Sequence, residues 1–316
     1  MLRVFTSVAI VVATLIGGTA RAQELSVAIG QRANWETSVS ELGQQAGFFR
    51  KRGLVLHILY TQGSGETLQA VISGSVDIGI GTGVDGTLAA YSRGAPVRAI
   101  GAATTGASDL YWYVPASSPI KTLKDAGGKT VAYSTSGAST NLIAAGLIRY
   151  FNANAKLVAT GGPAATFTQV MSRQIDVGWS SPPFGLEDVA SGKIRIIARG
   201  SDAPYFKDQT VRLLIANARA LDTKSDAIAR YMQSYRETLE WMYTNEAAVR
   251  AYAAWAKIPQ AIAARVRDEF YPRAALDPDR LMGFDQIMAN AVQWKYLEKP
   301  LSPAALQTFI RIPNKG

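Results

Sequence analysis

One segment of the chain occurs twice, and that doubling constrains the fold more than any other feature. Residues 63–81 read GSGETLQAVISGSVDIGIG and residues 162–180 read GPAATFTQVMSRQIDVGWS, an ungapped match at an offset of 99 residues. Gly63, Thr67, Val71, Ser73, Asp77 and Gly79 meet Gly162, Thr166, Val170, Ser172, Asp176 and Gly178. Each copy reads as a turn, a helix, a second turn and a short strand. Solenoid units repeat every ~20–50 residues, so this spacing predicts two related lobes instead. Two lobes that face each other enclose a cleft, and clefts are where small ligands bind.

The elements around the repeat alternate. Strands are expected at 25–30, 54–60, 76–80, 97–102, 110–114, 129–133, 194–198 and 210–216, with helices at 36–52, 65–73, 86–92 and 138–151. That order predicts an α/β fold with a largely parallel sheet in each lobe. The strands 110–114 and 210–216 read as the two crossover strands by which the chain leaves the first lobe and returns. From Asp222 onward strand signals vanish, and Pro259, Asp277-Pro278 and Ser302-Pro303 mark helix starts. Tyr231, Tyr235, Leu239 and Met242 recur at helical spacing, an apolar stripe expected to pack this C-terminal segment on lobe one. The expected domains are therefore a leader at 1–22, lobe one at 23–112, lobe two at 113–211, and the remainder of lobe one at 212–316.

The leader reading rests on a short positive start with Arg3, an apolar run from Val8 to Ile16 and a small-residue cleavage site, Ala20-Arg21-Ala22. The apolar run is too short to span a bilayer. Export to the periplasm is expected. The chain has no cysteine, which excludes disulfides, thiolate metal sites and Cys nucleophiles. Arg3 and Arg21 leave with the leader, which lowers the net charge from +9 to +7. A basic surface attracts anionic ligands, while the scattered Lys and Arg form no nucleic-acid stripe.

Ligands of open α/β sheets bind where strands end and helices begin. The strand ends supply Asn34 and Trp35, then Gly63 and Ser64, then Thr82 and Asp85. Lobe two supplies the hydroxyl-rich STSGAST stretch with Ser134, Ser136, Gly137 and Ser139, then Trp179, Ser180 and Phe184. Helix N-termini with nearby Ser and Thr favour an anion; ordinary helix capping is the alternative reading of the same residues. Arg32 is a possible counter-charge, or a solvated loop residue. Asp77 and Asp176, in matched places, read as strand-start residues of the two lobes. His57 is the only histidine and sits in an apolar run. No G-x-S-x-G nucleophile motif and no His-rich or carboxylate-rich metal cluster occurs, so neither an enzyme nor a cofactor is expected.

These residues together resemble the ABC-transporter substrate-binding proteins of the sulfonate/nitrate/taurine and thiamine-precursor-binding superfamily. The resemblance is carried by a strand, a Trp35-containing loop and a helix ending Gln45-Ala46-Gly47-Phe48-Phe49, by GETLQAVISGSVDIGIGTG at 65–83, by the 134–140 loop, and by DVGWSSPPFGLE at 176–187. It implies a type II periplasmic-binding-protein fold, closing around one small molecule. It implies delivery of that molecule to an inner-membrane permease driven by a separate ATPase; with the matched lobes, the leader and the 134–140 loop, the expectation is a monomeric receptor for a small organic anion, a carboxylate or sulfonate. Trp35, Trp179 and the loops 62–65, 81–85 and 134–139 would line the site. Sulfonate-binding members often carry an acid and a Tyr where this chain has Ser180-Ser181-Pro182-Pro183-Phe184, a more apolar wall. The alternatives are a neutral pyrimidine-like thiamine precursor stacked between Trp35 and Trp179, a fold-related enzyme of thiamine-pyrimidine synthesis, and a sensory binding module.

Overall fold

The computed structural model describes residues 22–313; the leader read over 1–22 lies, but for Ala22, outside the described residues. Among the described residues, no helix is long and apolar enough to cross a membrane.

A first sheet runs in the order β2-β1-β3-β10-β4. Its strands are β1 (Gln23–Gly30), β2 (Leu54–Thr61), β3 (Ile78–Gly83), β4 (Val97–Thr105) and β10 (Thr210–Asn217). β1 lies parallel to both β2 and β3, and β10 runs antiparallel between β3 and β4. Every residue of β3 and β10 is buried, as fits central strands covered on both faces. The second half holds β5 (Tyr111–Pro115), β6 (Thr130–Tyr133), β7 (Lys156–Ala159), β8 (Gly178–Ser180) and β9 (Ile194–Arg199). Here β8-β5-β9 pair antiparallel and β6-β7 parallel, with a bridge from Val131 to Val177 joining the two sets. Read through that bridge, β7-β6-β8-β5-β9 repeats the order of the first sheet. The chain passes to the second sheet over 106–110, directly ahead of β5, and returns over 200–209, directly ahead of β10.

The repeat supplies the same two ties in each half. Asp77 accepts from Ser26 N–H (2.8 Å) and Ser26 Oγ (3.0 Å), and Asp176 accepts from Thr130 N–H (2.9 Å) and Thr130 Oγ1 (2.8 Å). Each aspartate sits just before its strand and pins it to the neighbouring one. Burial pushes the Asp176 pKa up, but the Thr130 donors outweigh it and hold it below the ordinary value. The second tie is a pair of hydroxyls, Thr61 to Thr67 and Thr160 to Thr166, each 2.7 Å apart. Each joins a strand end to the first turn of the next helix, α3 (Ser64–Ile72) or α6 (Pro163–Met171).

The helix expected at 36–52 is divided. A 3-10 turn at Glu36–Ser38 leads into α1 (Val39–Gln45), and α2 (Phe48–Lys51) follows a break at Gly47, whose φ of 85° suits glycine and interrupts the helix. Strand β7 was not expected: it is a short edge strand with two exposed ends and shows no alternating pattern. The remaining helices include α4 (Val84–Ser92), α5 (Ser139–Tyr150) and α7 (Leu186–Ala190), then α8 (Ala218–Thr223), α9 (Ser225–Thr244), α10 (Glu246–Ala256), α11 (Gln260–Arg265), α12 (Phe284–Gln293) and α13 (Pro303–Phe309). Tyr231, Tyr235, Leu239 and Met242 of α9 are all buried, and Phe49 stacks on Tyr231 at 5.3 Å. At Gly43 of α1 an added Cβ would lie 2.3 Å from Thr238 Oγ1, so glycine permits this close approach to α9.

Candidate functional site

The strand ends of the two halves face each other across a small buried cleft. From the first half come Gly30, Gln31, Gly63, Ser64 and Gly81, and from the second come Ser134, Ala138, Ser139, Thr140 and Trp179. Glu36, Thr37, Leu110 and Arg212 complete the lining, and the enclosed space is about 30 Å³, room for about two waters. The third copy of the hydroxyl tie occurs here: Ser134 Oγ lies 2.7 Å from Thr140 Oγ1 and thus holds the start of α5 against the end of β6. Helices α3 and α5 therefore both begin at the cleft, one from each half. Ser64 Oγ accepts from Gly83 N–H at 2.7 Å, which leaves its own proton to donate. The Ser139 hydroxyl has no partner among the described residues.

The floor is a buried ion triad. Arg212 of β10 donates to Glu36 Oε1 at 2.8 Å and to Asp109 Oδ2 at 2.5 Å. All three side chains are buried. Burial pulls the Arg212 pKa down, but Asp109 and Glu36 outweigh it and hold the guanidinium charged. Glu36 is pushed up by burial and, more weakly, by Asp109, while Arg212 opposes that rise. Among the described residues, Glu36 Oε2, Asp109 Oδ1 and Arg212 Nε find no hydrogen-bond partner. Sequence reasoning missed this triad. Its signal was Arg212 inside the otherwise apolar strand TVRLLIA, since a charge there needs a buried partner.

Five of the expected site residues line the cleft: Gly63, Ser64, Ser134, Ser139 and Trp179. The others lie elsewhere. Trp35 is a core residue: it is fully buried, its Nε1 donates to Tyr243 Oη at 3.1 Å, and it meets Tyr252 edge-on at 4.8 Å. Asn34 instead spans the two halves, with Nδ2 donating to Ser181 Oγ at 3.0 Å. Thr82 is buried and accepts from Thr87 Oγ1, Ser180 donates to the Phe184 carbonyl at 3.1 Å, and Ser136 is exposed. Phe184 is half-buried and its carbonyl is also taken by Tyr111 Oη. Gly137 is a contact between the halves: its carbonyl accepts from Gly86 N–H at 3.2 Å and its N–H donates to Tyr296 Oη at 2.9 Å. Asp85, in the first turn of α4, is buried, neither carboxyl oxygen has a hydrogen-bond partner among the described residues, and burial pushes its pKa up to about 7. Arg32 is exposed and stacks over Tyr60 and Trp255, 5.4 Å from each ring centre. Trp179 is pinned at the wall by its Nε1 bond to the Gly161 carbonyl at 3.2 Å.

The family described as NMT1/THI5 like matches residues 41–248, more than half of the chain. The chain belongs to the NMT1/THI5-like family. No curated protein matches the sequence. Solved structures show the fold that this family member adopts. The alkanesulfonate-binding protein SsuA from Xanthomonas axonopodis pv. citri, bound to MOPS, is similar with a TM-score of 0.73 at 16% identity, over 92% of this chain and 98% of that one. The periplasmic nitrate-binding protein NrtA from Synechocystis PCC 6803 is similar with a TM-score of 0.70 at 14% identity, over 91% and 86%. The desulfurization enzyme DSZB is similar with a TM-score of 0.64 at 16% identity, over 92% and 96%. The NMT1/THI5-like chain thus has the periplasmic-binding-protein fold, with both halves of the expected architecture present.

Proposed function

We propose that the protein is an exported solute-binding receptor of an ABC importer. It captures a small organic anion, a carboxylate or sulfonate, between its lobes and delivers it to an inner-membrane permease. The carrying observation is the convergence of two helix starts, α3 and α5, with Ser64, Ser134 and Ser139 on one buried cleft above Arg212. Helix N-termini present free N–H groups and a positive dipole end to an anion. Two relatives by fold are named for binding anions, an alkanesulfonate and nitrate. Arg212 is already balanced by Glu36 and Asp109, so the helix starts and hydroxyls are the main anion partners. A cleft of about 30 Å³ admits such a ligand only when the lobes separate, so opening and closing accompany capture.

One observation favours a second reading. The triad leaves no uncompensated cation at the floor, and Trp179 offers an aromatic wall, which suits a neutral pyrimidine-like ligand. With Trp35 in the core, that ligand would stack on Trp179 alone. His57 lies exposed on edge strand β2, 3.2 Å from Glu24, and gives the enzyme reading no residue at the cleft. Calorimetric titration with sulfonates, carboxylates, nitrate and pyrimidines tests both readings. Single-site binding of an acid, weakened in Ser139→Ala, supports the anion. Binding of pyrimidines alone would overturn it in favour of the second reading, and silence across every class would overturn the receptor itself.

A further inference from the structure

A second concave feature lies away from the cleft. A groove of about 1440 Å³ runs between the end of α4 and the segment that joins α12 to α13. Arg93, Arg98, Lys295 and Lys299 line it, against a single acid, Glu298. Among the described residues, the side chains of Arg93, Lys295 and Lys299 meet no acidic partner; those of Lys121, Lys156 and Arg250 elsewhere likewise meet none, so what distinguishes the three is that they line one groove. Arg98 is held in place over Tyr91, 5.3 Å from the ring centre, and donates to the Val97 carbonyl at 2.9 Å. Positive charge is thus in excess along one groove, four cations to one acid. Pro96, Val292, Leu297 and Leu301 give the same groove apolar walls.

We infer that this groove docks an acidic polypeptide segment of a partner protein, and that Tyr296 transmits its occupancy to the contact between the lobes. A concave groove with exposed cations along it and apolar walls matches a chain segment carrying carboxylates and apolar side chains. A flat anionic membrane would leave the apolar walls of such a concavity uncovered. Tyr296 belongs to the groove wall, and its hydroxyl accepts from Gly137 N–H at 2.9 Å and lies 2.5 Å from Asn141 Oδ1 of α5. A segment that displaces the Tyr296 ring removes both bonds across the lobe boundary. The coupling is reciprocal: whatever closes the lobes alters the groove's affinity by the same factor.

The test uses the full mature chain and a fluorescein-labelled peptide of alternating glutamate and leucine, followed by anisotropy. Saturable binding that weakens as salt is raised is expected, with a loss of about tenfold or more in the double variant Arg93→Glu, Lys299→Glu. These exposed positions leave the fold intact, which a thermal melt checks. Equal binding by the double variant overturns the docking site. Charge-dependent binding of phosphatidylglycerol vesicles in preference to the peptide overturns it too, and assigns the surface to a membrane. Spin labels on the two lobes read the coupling. The peptide is expected to change their separation in the wild type and not in Tyr296→Phe; an equal change in both overturns the role of Tyr296.

Discussion

Gly86 and Gly137 meet backbone to backbone: the N–H of one donates to the carbonyl of the other at 3.2 Å, across the boundary between the lobes. Gly137 has no room for a side chain, and one on Gly86 would be tight, its Cβ 3.0 Å from the Gly137 carbonyl oxygen. A Cβ on Gly137 would lie 2.7 Å from Gly86 Cα, and one on the neighbouring Gly83 would lie 2.2 Å from the Gly137 carbonyl oxygen. Backbone on backbone cannot yield as a flexible side chain can. Gly83→Ala is therefore expected to prop the lobes apart. Small-angle scattering should show a larger radius of gyration, and ligand affinity should fall by about tenfold or more, as overpacking costs of ~1–3 kcal/mol imply. An unchanged radius would mean that the lobes do not close along this line.

Arg212 holds two buried carboxylates. Arg212→Met keeps the volume but strands Glu36 and Asp109, and breaking a buried pair from one side costs ~3–5 kcal/mol. Urea unfolding should register a loss of that order. A triple variant that also carries Glu36→Gln and Asp109→Asn should recover much of it, since the stranded charge is gone.

Asp85 sets a pH dependence of definite sign. Burial raises its pKa from 3.8 to about 7. The unfolded chain gives up the proton near pH 4 and the folded chain near pH 7, so between these limits the folded state binds more protons. Stability therefore falls as pH rises from about 4 to about 7, by up to ~4 kcal/mol, and levels off above that. Asp85→Asn should lack this slope and be the more stable protein at neutral pH. Parallel melts of the two proteins across that range would expose an error in this assignment as equal slopes.

The two tryptophans first grouped together should separate under mutation. Trp35→Ala empties a fully buried site in contact with Tyr243 and Tyr252, at a cost of ~3–5 kcal/mol in stability. Its folded fraction should still bind ligand with near wild-type affinity. Trp179→Ala empties an equally buried site and should cost stability too, ~3–5 kcal/mol, but it also removes part of the cleft wall and should weaken binding by the folded fraction. Denaturation and titration of both variants give the comparison.

Local signals made the alternation of strands and helices legible. They also made the hydroxyl-rich start of α5 legible, because Ser134 and Thr140 lie 6 residues apart, whereas the matched aspartates showed only through the repeat, since their bonds to Ser26 and Thr130 span 51 and 46 residues. The triad was not legible, because Glu36, Asp109 and Arg212 come from a 3-10 turn, an inter-sheet connection and the last strand, and only the folded chain brings them together. Trp35 misled for a related reason. A position after a strand end can face either the cleft or the helices behind it, and the partners that decide, Tyr243 and Tyr252, lie some two hundred residues on.

Strand β10 also governs the order in which the molecule can be finished. It lies between β3 and β4, yet it follows β5 to β9 in the chain. The first sheet therefore stays split, with the edges of β3 and β4 unpaired, until residues 210–217 arrive. The second sheet has all of its strands within residues 111–199 and can assemble earlier. A chain delivered from its N-terminus thus completes its later half first, and its earlier half waits longest with open strand edges in need of protection.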